Sequence, residues 1–363
     1  MVPDFPQEIL IEIFSRLPTK SIGKLKCLSK TWRNLFSSRQ FIKSHLAQDK
    51  ARHEYVILIP PSHNIHSVEI LKVRSTVSTK LFFPGLWREI VGSCNGLVLL
   101  LNDDDDHGEM LLANPITLQR AKIRNPPLAF RQGEGFTIYG FGHDRVRDDY
   151  KVVTLSFYSL RNEPDLGYTD IFVEVYSMKT GVWKRLRSPP NYSGYAYPYI
   201  PFGALVNGAI HWLAIRTRES GVVFVITAFD LVNETFFEIP PPVGVDVEVF
   251  SPDRLVVLGG CLYLVDTRSN VEWADLWVMK EYGVAESWTK FRVYGYGNSA
   301  LFKPLCFVGD AYDEEIVSVV EGRGLVVYNV KEGKSRNLAV NGVRRKFVDG
   351  CTFVESLVSP AAL

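Results

Sequence analysis

Long apolar runs are missing from these 363 residues, as are paired cysteines and any excess of one charge. No stretch approaches the roughly 18 apolar residues that a membrane helix needs, so no membrane span is expected. The first apolar stretch, Ile9 to Leu17, is interrupted by Glu12 and Arg16, which argues against a secretory leader. Five cysteines, Cys27, Cys94, Cys261, Cys306 and Cys351, lie far apart with no CxxC pair. That spacing argues against a paired-cysteine zinc site and fits reduced thiols, hence a cytoplasmic or nuclear chain. With 41 Lys and Arg against 40 Asp and Glu, nothing pulls the whole chain toward nucleic acid or anionic membrane. Walker A, GxSxG and HExxH signatures are absent as well.

What remains is ample material for a core: 46% apolar and 12% aromatic residues. The length calls for two units or one large repeat array. Basic charge concentrates at the start, where residues 1–50 carry nine Lys or Arg against four Asp or Glu.

The first fifty residues read as short helices. Asp4 is placed to cap the first, with Gln7 in capping-box position and Pro6 in the first turn. Ile9, Leu10, Ile13, Phe14 and Leu17 follow one helical stripe, which Pro18 ends. A second helix carries Ile22, Leu25 and Leu28. Ser29 can cap a third, with Trp32, Leu35 and Phe36, and a fourth holds Phe41, Ile42, His45 and Leu46. So short a unit has a weak core of its own and a surplus of apolar surface. Spacing alone leaves two outlets for that surface: another polypeptide, or the rest of this chain.

Beyond residue 50 the period changes to short Val-, Ile-, Phe- and Tyr-rich strands bounded by Gly, Pro, Asn and Asp. A strand–turn–strand unit recurs in VEVYSMKTGVWKRL, TAFDLVNETFFEIP, LWVMKEYGVAESWTKFRV and LVVYNVKEGKSRNLAV. Tyr176, Phe229, Trp277 and Tyr328 stand at equivalent places, 53, 48 and 51 residues apart. A period near fifty with several strands per repeat predicts a mainly β fold: a β-propeller of about six blades, with a β-sandwich as the alternative. The final strand, FVDGCTFVESL, is expected to pair with strands from residues 55–83 and close the ring.

Both halves resemble a known family. FPQEIL, IFSRLP and LKCLSKTWRNL are similar to the F-box motif. GSCNGLVLL, ANPIT, GFGHDRVRDDYKVV, VEVYSMKTGVWKRL and GALVNGAIHWL resemble the kelch-like F-box-associated domain of plants. The resemblance implies an F-box over 1–50 and a substrate-binding propeller over 51–358. It implies a substrate-recognition subunit of an SCF-type ubiquitin ligase, docked on a Skp-type adaptor and through it on a cullin–RING scaffold. Pro6, Ile9, Leu10, Ile13, Leu17, Pro18, Leu25, Leu28 and Trp32 would face the adaptor, with Trp32 equally suited to the module's own core. Gly23 departs from the pattern, standing where relatives carry a large apolar residue, which implies weaker adaptor binding.

No catalytic set, metal or cofactor is expected. His63 and His66 have no cysteine near them. Asp103 to Asp106 lack the alternating ligands and bidentate Glu of a calcium loop. His143, Asp144, Asp148 and Asp149 suit turn chemistry better than acid–base work. His211 and Trp212 are expected to pack within a blade. Tyr192, Tyr195, Tyr197 and Tyr199, within NYSGYAYPYIP, offer a target-protein contact or a self-packed cap. Two other functions stay in play: a propeller enzyme, and an F-box binding protein outside any ligase.

Overall fold

The computed structural model describes residues 6–48, 54–60, 64–69, 76–102, 109–126, 135–158, 170–186, 202–218, 221–245, 252–267, 272–296, 302–308, 315–341, 347 and 349–362. Four helices come first: α1 (Gln7–Phe14), α2 (Thr19–Leu25), α3 (Lys30–Ser37) and α4 (Arg39–Ala47).

Four details of the helices differ from the sequence reading. One is that α2 ends at Leu25, leaving Leu28 in the turn before α3. Pro6 is itself the N-cap of α1, in extended conformation (φ −50°, ψ 141°), with no side-chain cap; Asp4 lies outside the described residues. Gln7 is therefore the first helical residue, not the third. Finally, α1 stops at Phe14 rather than at Pro18. Ser15 Oγ donates to the Glu12 carbonyl (3.0 Å), and Leu17 N–H bonds back only three residues, to Phe14. The clash of a proline ring with the preceding residue pushes that residue out of the helical region, so the last turn tightens and ends early. Ser29 caps α3 as expected, its hydroxyl accepting from Trp32 N–H at 3.2 Å.

After the helices run β1 (Glu54–Ile59), β2 (Ile65–Glu69) and β3 (Thr76–Leu81). Blade one comprises β4 (Glu89–Cys94), β5 (Leu97–Asn102), β6 (Glu109–Ala113) and β7 (Arg120–Ile123). Blade two comprises β8 (Gly135–Asp144), β9 (Asp149–Tyr158), β10 (Asp170–Ser177) and β11 (Val182–Leu186). Blade three is β12 (Ala204–Val206), β13 (Ala209–Arg218), β14 (Gly221–Asp230) and β15 (Thr235–Ile239). Blade four is β16 (Arg254–Leu258), β17 (Cys261–Asp266), β18 (Trp273–Met279) and β19 (Trp288–Tyr294). Blade five is β20 (Phe302–Val308), β21 (Glu315–Val320), β22 (Gly324–Asn329) and β23 (Lys334–Asn337).

The sixth sheet mixes the two ends of the domain. Its order is β24 (Val340–Asn341), β3, β2, β1 and β25 (Asp349–Val354). Strand β25 pairs antiparallel with β1 from Glu54↔Val354 to Ile59↔Asp349, the ring closure expected from the sequence. Six sheets in a closed ring, five of them antiparallel throughout and the sixth with one parallel pair (β24 with β3), settle the architecture as a six-bladed propeller and set the sandwich aside.

Local chemistry explains the repeat. Each of Tyr176, Phe229, Trp277 and Tyr328 sits in the third strand of its blade and faces the fourth, opposite Trp183, Phe236, Lys290 and Ser335. In blades one, three and four the hairpin between first and second strands is a two-residue turn that needs two residues with positive φ, which suits Asn and Gly. Asn95-Gly96, Asn207-Gly208 and Gly259-Gly260 supply them at φ 52°/78°, 51°/77° and 56°/79°.

A single sheet cannot bury both faces, so the core is split into seams between blades. Blades two and three, for example, enclose Ile138, Val153 and Phe157 against Ile210, Trp212 and Phe229. Each such side chain contributes roughly 1.5–3 kcal/mol of burial. The seam is tight enough that a Cβ at Gly140 would lie 2.6 Å from Ile210 and 2.7 Å from Trp212.

Candidate functional site

The helical module has an inner and an outer face. Ile11, Ile22, Phe36 and Phe41 are buried at its centre. Trp32 stacks on Phe36 (centroids 5.4 Å) and meets Phe14 edge-on (5.0 Å). Leu17, Leu25 and Trp32 are half-buried against this cluster. The outer face is different: Ile9 is 44% exposed, Ile13 53% and Leu28 69%. Pro6 and Pro18 are exposed too, and Leu10 is half-buried. The nine residues implied by the F-box resemblance thus divide. Five lie on the surface, Leu10 lies at its margin, and three contribute to the module's own packing. Ile11 was missed because the stripe Ile9, Leu10, Ile13 marks the outward face, while burial falls on the opposite side of the same short helix.

The same module is anchored to one face of the propeller. Lys43 of α4 pairs with Asp148 (2.8 Å) in the β8–β9 turn, and His143 Nε2 lies 3.2 Å from the same carboxylate. Hydrogen bonds from Lys43 lead the pull that holds the Asp148 carboxyl below its ordinary value, against its burial. Ile42 packs on the seam between blades one and two, beside Val358. The tail after β25 completes the joint, carrying Leu357 into the helical core.

Asn114, from the ANPIT stretch, holds that tail. Its amide donates to the carbonyls of Ser356 (2.9 Å) and Val358 (2.8 Å). Its Oδ1 accepts from Ile116 and Thr117 N–H and shapes its own turn. Asp148 and Asn114 lie in turns between first and second, and third and fourth, strands respectively. The helices therefore sit on the face where those turns lie.

The acidic stretch after His143 proves to be turn structure. Asp144 Oδ1 accepts from the amides of Val146 and Arg147, both 3.0 Å. Asp149 accepts from Ser177 Oγ (2.6 Å) and Lys179 N–H (2.9 Å). Sequence reading did not single out Lys151, which the fold buries at their centre. Its ammonium reaches Asp144 (2.8 Å), Glu234 (2.9 Å) and the Leu231 carbonyl (2.7 Å), joining blades two and three. Burial on its own would raise the Asp144 carboxyl; hydrogen bonds from Lys151 and Arg147 override it and hold Asp144 well below the carboxylate range.

His211 is fully buried, as its position after an apolar strand suggested. Nδ1 lies 3.0 Å from the Ala204 carbonyl, which can only accept, so Nδ1 donates; Nε2 then accepts from Tyr282 O–H at 2.7 Å. Burial pushes the imidazole down to about 4. Its unfolded value is near 6.5, so the unfolded chain binds the extra proton first as the medium acidifies. Stability present above pH 6.5 is expected to fall between pH 6.5 and 4, by up to about 3 kcal/mol at about 1.4 kcal/mol per unit. Denaturant titrations across that range check it. The His211→Phe variant should start less stable at pH 7.5 yet show a flatter slope, and an equal slope would exclude His211 as the source.

Strand starts occupy the opposite rim. There β4 begins at Glu89, β16 at Arg254 and β25 at Asp349, and β11 ends and β12 begins there as well. The segment joining β11 to β12 contains Tyr192, Tyr195, Tyr197 and Tyr199, which lie outside the described residues, as do His63 and residues 103–108 and 161–169.

Among the described residues, a small helical module is fixed to one face of a six-bladed propeller and keeps Ile9, Ile13 and Leu28 exposed, a two-part architecture. Residues 2–44 match the F-box domain, and residues 52–360 match the F-box associated beta propeller domain. The chain belongs to this F-box family. It is 32% identical to the F-box protein CPR1 of Arabidopsis thaliana, over 78% of this chain and 71% of that protein. An F-box/kelch-repeat protein of the same plant is 29% identical, over 98% of this chain and 96% of its own. Among solved structures, a chain of a nidogen/laminin complex is similar at 11% identity and a TM-score of 0.46, covering 84% of this chain and 99% of that one.

Proposed function

We propose that the chain is the substrate-recognition subunit of an SCF-type ubiquitin ligase. The helical module holds a Skp-type adaptor and, through it, a cullin–RING scaffold; the propeller holds a target protein. Ligation chemistry belongs to other subunits, and this chain contributes proximity, raising the local concentration of target lysines at the conjugating enzyme. The observation that carries the reading is the uncovered Ile9, Ile13 and Leu28 on a module whose inner face is already closed. Apolar groups held outward on one small module are surface for a partner. Its anchorage on one face leaves the opposite rim, where the strands flanking the tyrosine segment meet, for the target. The free thiols of the described cysteines suit a cytoplasmic or nuclear setting.

Affinity capture of the full chain from plant cells under proteasome block tests the assignment. Adaptor, cullin and a ubiquitinated third protein are expected together. Adaptor without cullin would favour a binding role outside the ligase.

Gly23 gives a finer check. It is exposed on α2, and a Cβ there meets nothing within 4 Å. The Gly23→Ala variant is expected to stabilise the helix by about 0.5–1 kcal/mol. Gly23→Leu should in addition tighten adaptor binding several-fold in a titration; weaker binding would place α2 away from the interface.

A further inference from the structure

The six inner strands enclose a cavity of about 390 Å³ on the propeller axis, with residues from β4, β8, β12, β16, β20 and β25 on its wall. Apolar side chains, among them Phe141, Leu205, Val256 and Leu305, share its wall with polar ones. Two cations also line it, and they differ. Lys303 is spent: its ammonium pairs with Asp349 at 2.8 Å, and Asp349 also accepts from the amides of Ile90 and Gly350. Arg254 is not spent. It is 8% exposed, and its Nε–H has no hydrogen-bond partner.

No described residue accepts a hydrogen bond from its guanidinium; Asp253 and Asp349 act on it only through space. Asp253 accepts from Thr267 Oγ1 at 2.7 Å through Oδ2, and its buried Oδ1 has no hydrogen-bond partner either. Glu89, the remaining acid on the wall, is engaged elsewhere.

A buried guanidinium with unused donors is costly unless something completes it. Its planar fork matches a carboxylate with two parallel hydrogen bonds. The cavity is far larger than one inserted side chain needs and falls within the size range of small-molecule sites, its wall apolar in part and polar in part. We propose that the axial cavity binds a small amphipathic monocarboxylic acid, its carboxylate on Arg254 and its apolar body against Phe141, Leu205, Val256 and Leu305. The site opens away from the helical module, so occupancy would alter the rim assigned above to the target. Ligand binding does not require the ligase reading; adaptor capture and an empty cavity are compatible.

Ligand-observed NMR on the full chain tests the proposal with benzoate, 3-phenylpropionate and hexanoate at 1 mM, each beside its primary amide. At least one acid is expected to bind with a Kd roughly tenfold or more below that of its amide. The Arg254→Gln variant should erase that difference, and Arg254→Lys should keep part of it. The acid-to-amide comparison uses the unmodified chain and stands even if a variant fails to fold. No binding by any acid, equal binding by acid and amide, or a folded Arg254→Gln chain that retains the preference would each overturn the assignment. So would binding of an acidic peptide in place of all three acids.

Discussion

Replacing Ile9, Ile13 and Leu28 together by Asp should abolish capture of a Skp-type adaptor while leaving the propeller and its target binding intact. The three side chains, two on α1 and one in the turn between α2 and α3, are the large apolar groups that the described part of the module leaves exposed. Each forfeits roughly 1.5–3 kcal/mol of burial when the partner is lost, and a carboxylate adds a desolvation cost. A loss of a thousandfold or more in affinity follows, since each 1.4 kcal/mol is tenfold. Leu10 and Leu17, which the motif would equally nominate, are poorer probes. Leu17 packs against the module's own cluster, and its carbonyl is bonded by His45 at 2.9 Å, so its truncation mixes folding with binding. The measurement is adaptor titration beside circular dichroism and the thermal midpoint. Retained adaptor binding in a folded triple variant would move the interface elsewhere and remove the main support for the ligase reading.

The parts of this molecule that repeat were legible before its structure, because periodicity is a local property. Tyr176, Phe229, Trp277 and Tyr328 reported the third strand of four blades. The apolar surplus of the helices was legible too, but not how it divides. On a helix of eight residues the stripe Ile9, Leu10, Ile13 cannot say which side meets its own core, and Ile11 settles that only in three dimensions. The joint between module and ring was invisible for a different reason. Lys43 with Asp148, and Asn114 with Ser356 and Val358, are single polar contacts across 105 to 244 residues, and no pattern announces them. Arg254 left no trace either, since a charged residue at a strand start reads as an ordinary solvated end until the ring closes over it.

Lys151→Met is expected to cost about 3–5 kcal/mol, the largest single-residue loss of stability anticipated in the propeller. The ammonium is 3% exposed, and all three of its donors are used, on Asp144, Glu234 and the Leu231 carbonyl. Methionine fills the volume but leaves the fully buried Asp144 with only Arg147 and two backbone amides. It also strips Glu234 to its exposed partner Lys184. Removing one member of a buried network is costly because it strands the others; removing both charges is far cheaper. The Asp144→Asn/Lys151→Met double variant should therefore recover part of the loss.

Acid sharpens the test. The Asp144 and Glu234 carboxyls are held below their ordinary values by hydrogen bonds that outweigh burial. Their contribution is thus complete above an unfolded carboxyl pKa of about 4 and is lost as the medium falls below it. In Lys151→Met the Asp144 carboxyl rises, so the acid limb of the stability profile should shift to higher pH. Guanidinium unfolding at pH 7 and pH 4 reads both effects. A loss under about 1 kcal/mol at pH 7, with an unmoved acid limb, would mean that Lys151 is not what fastens blade two to blade three.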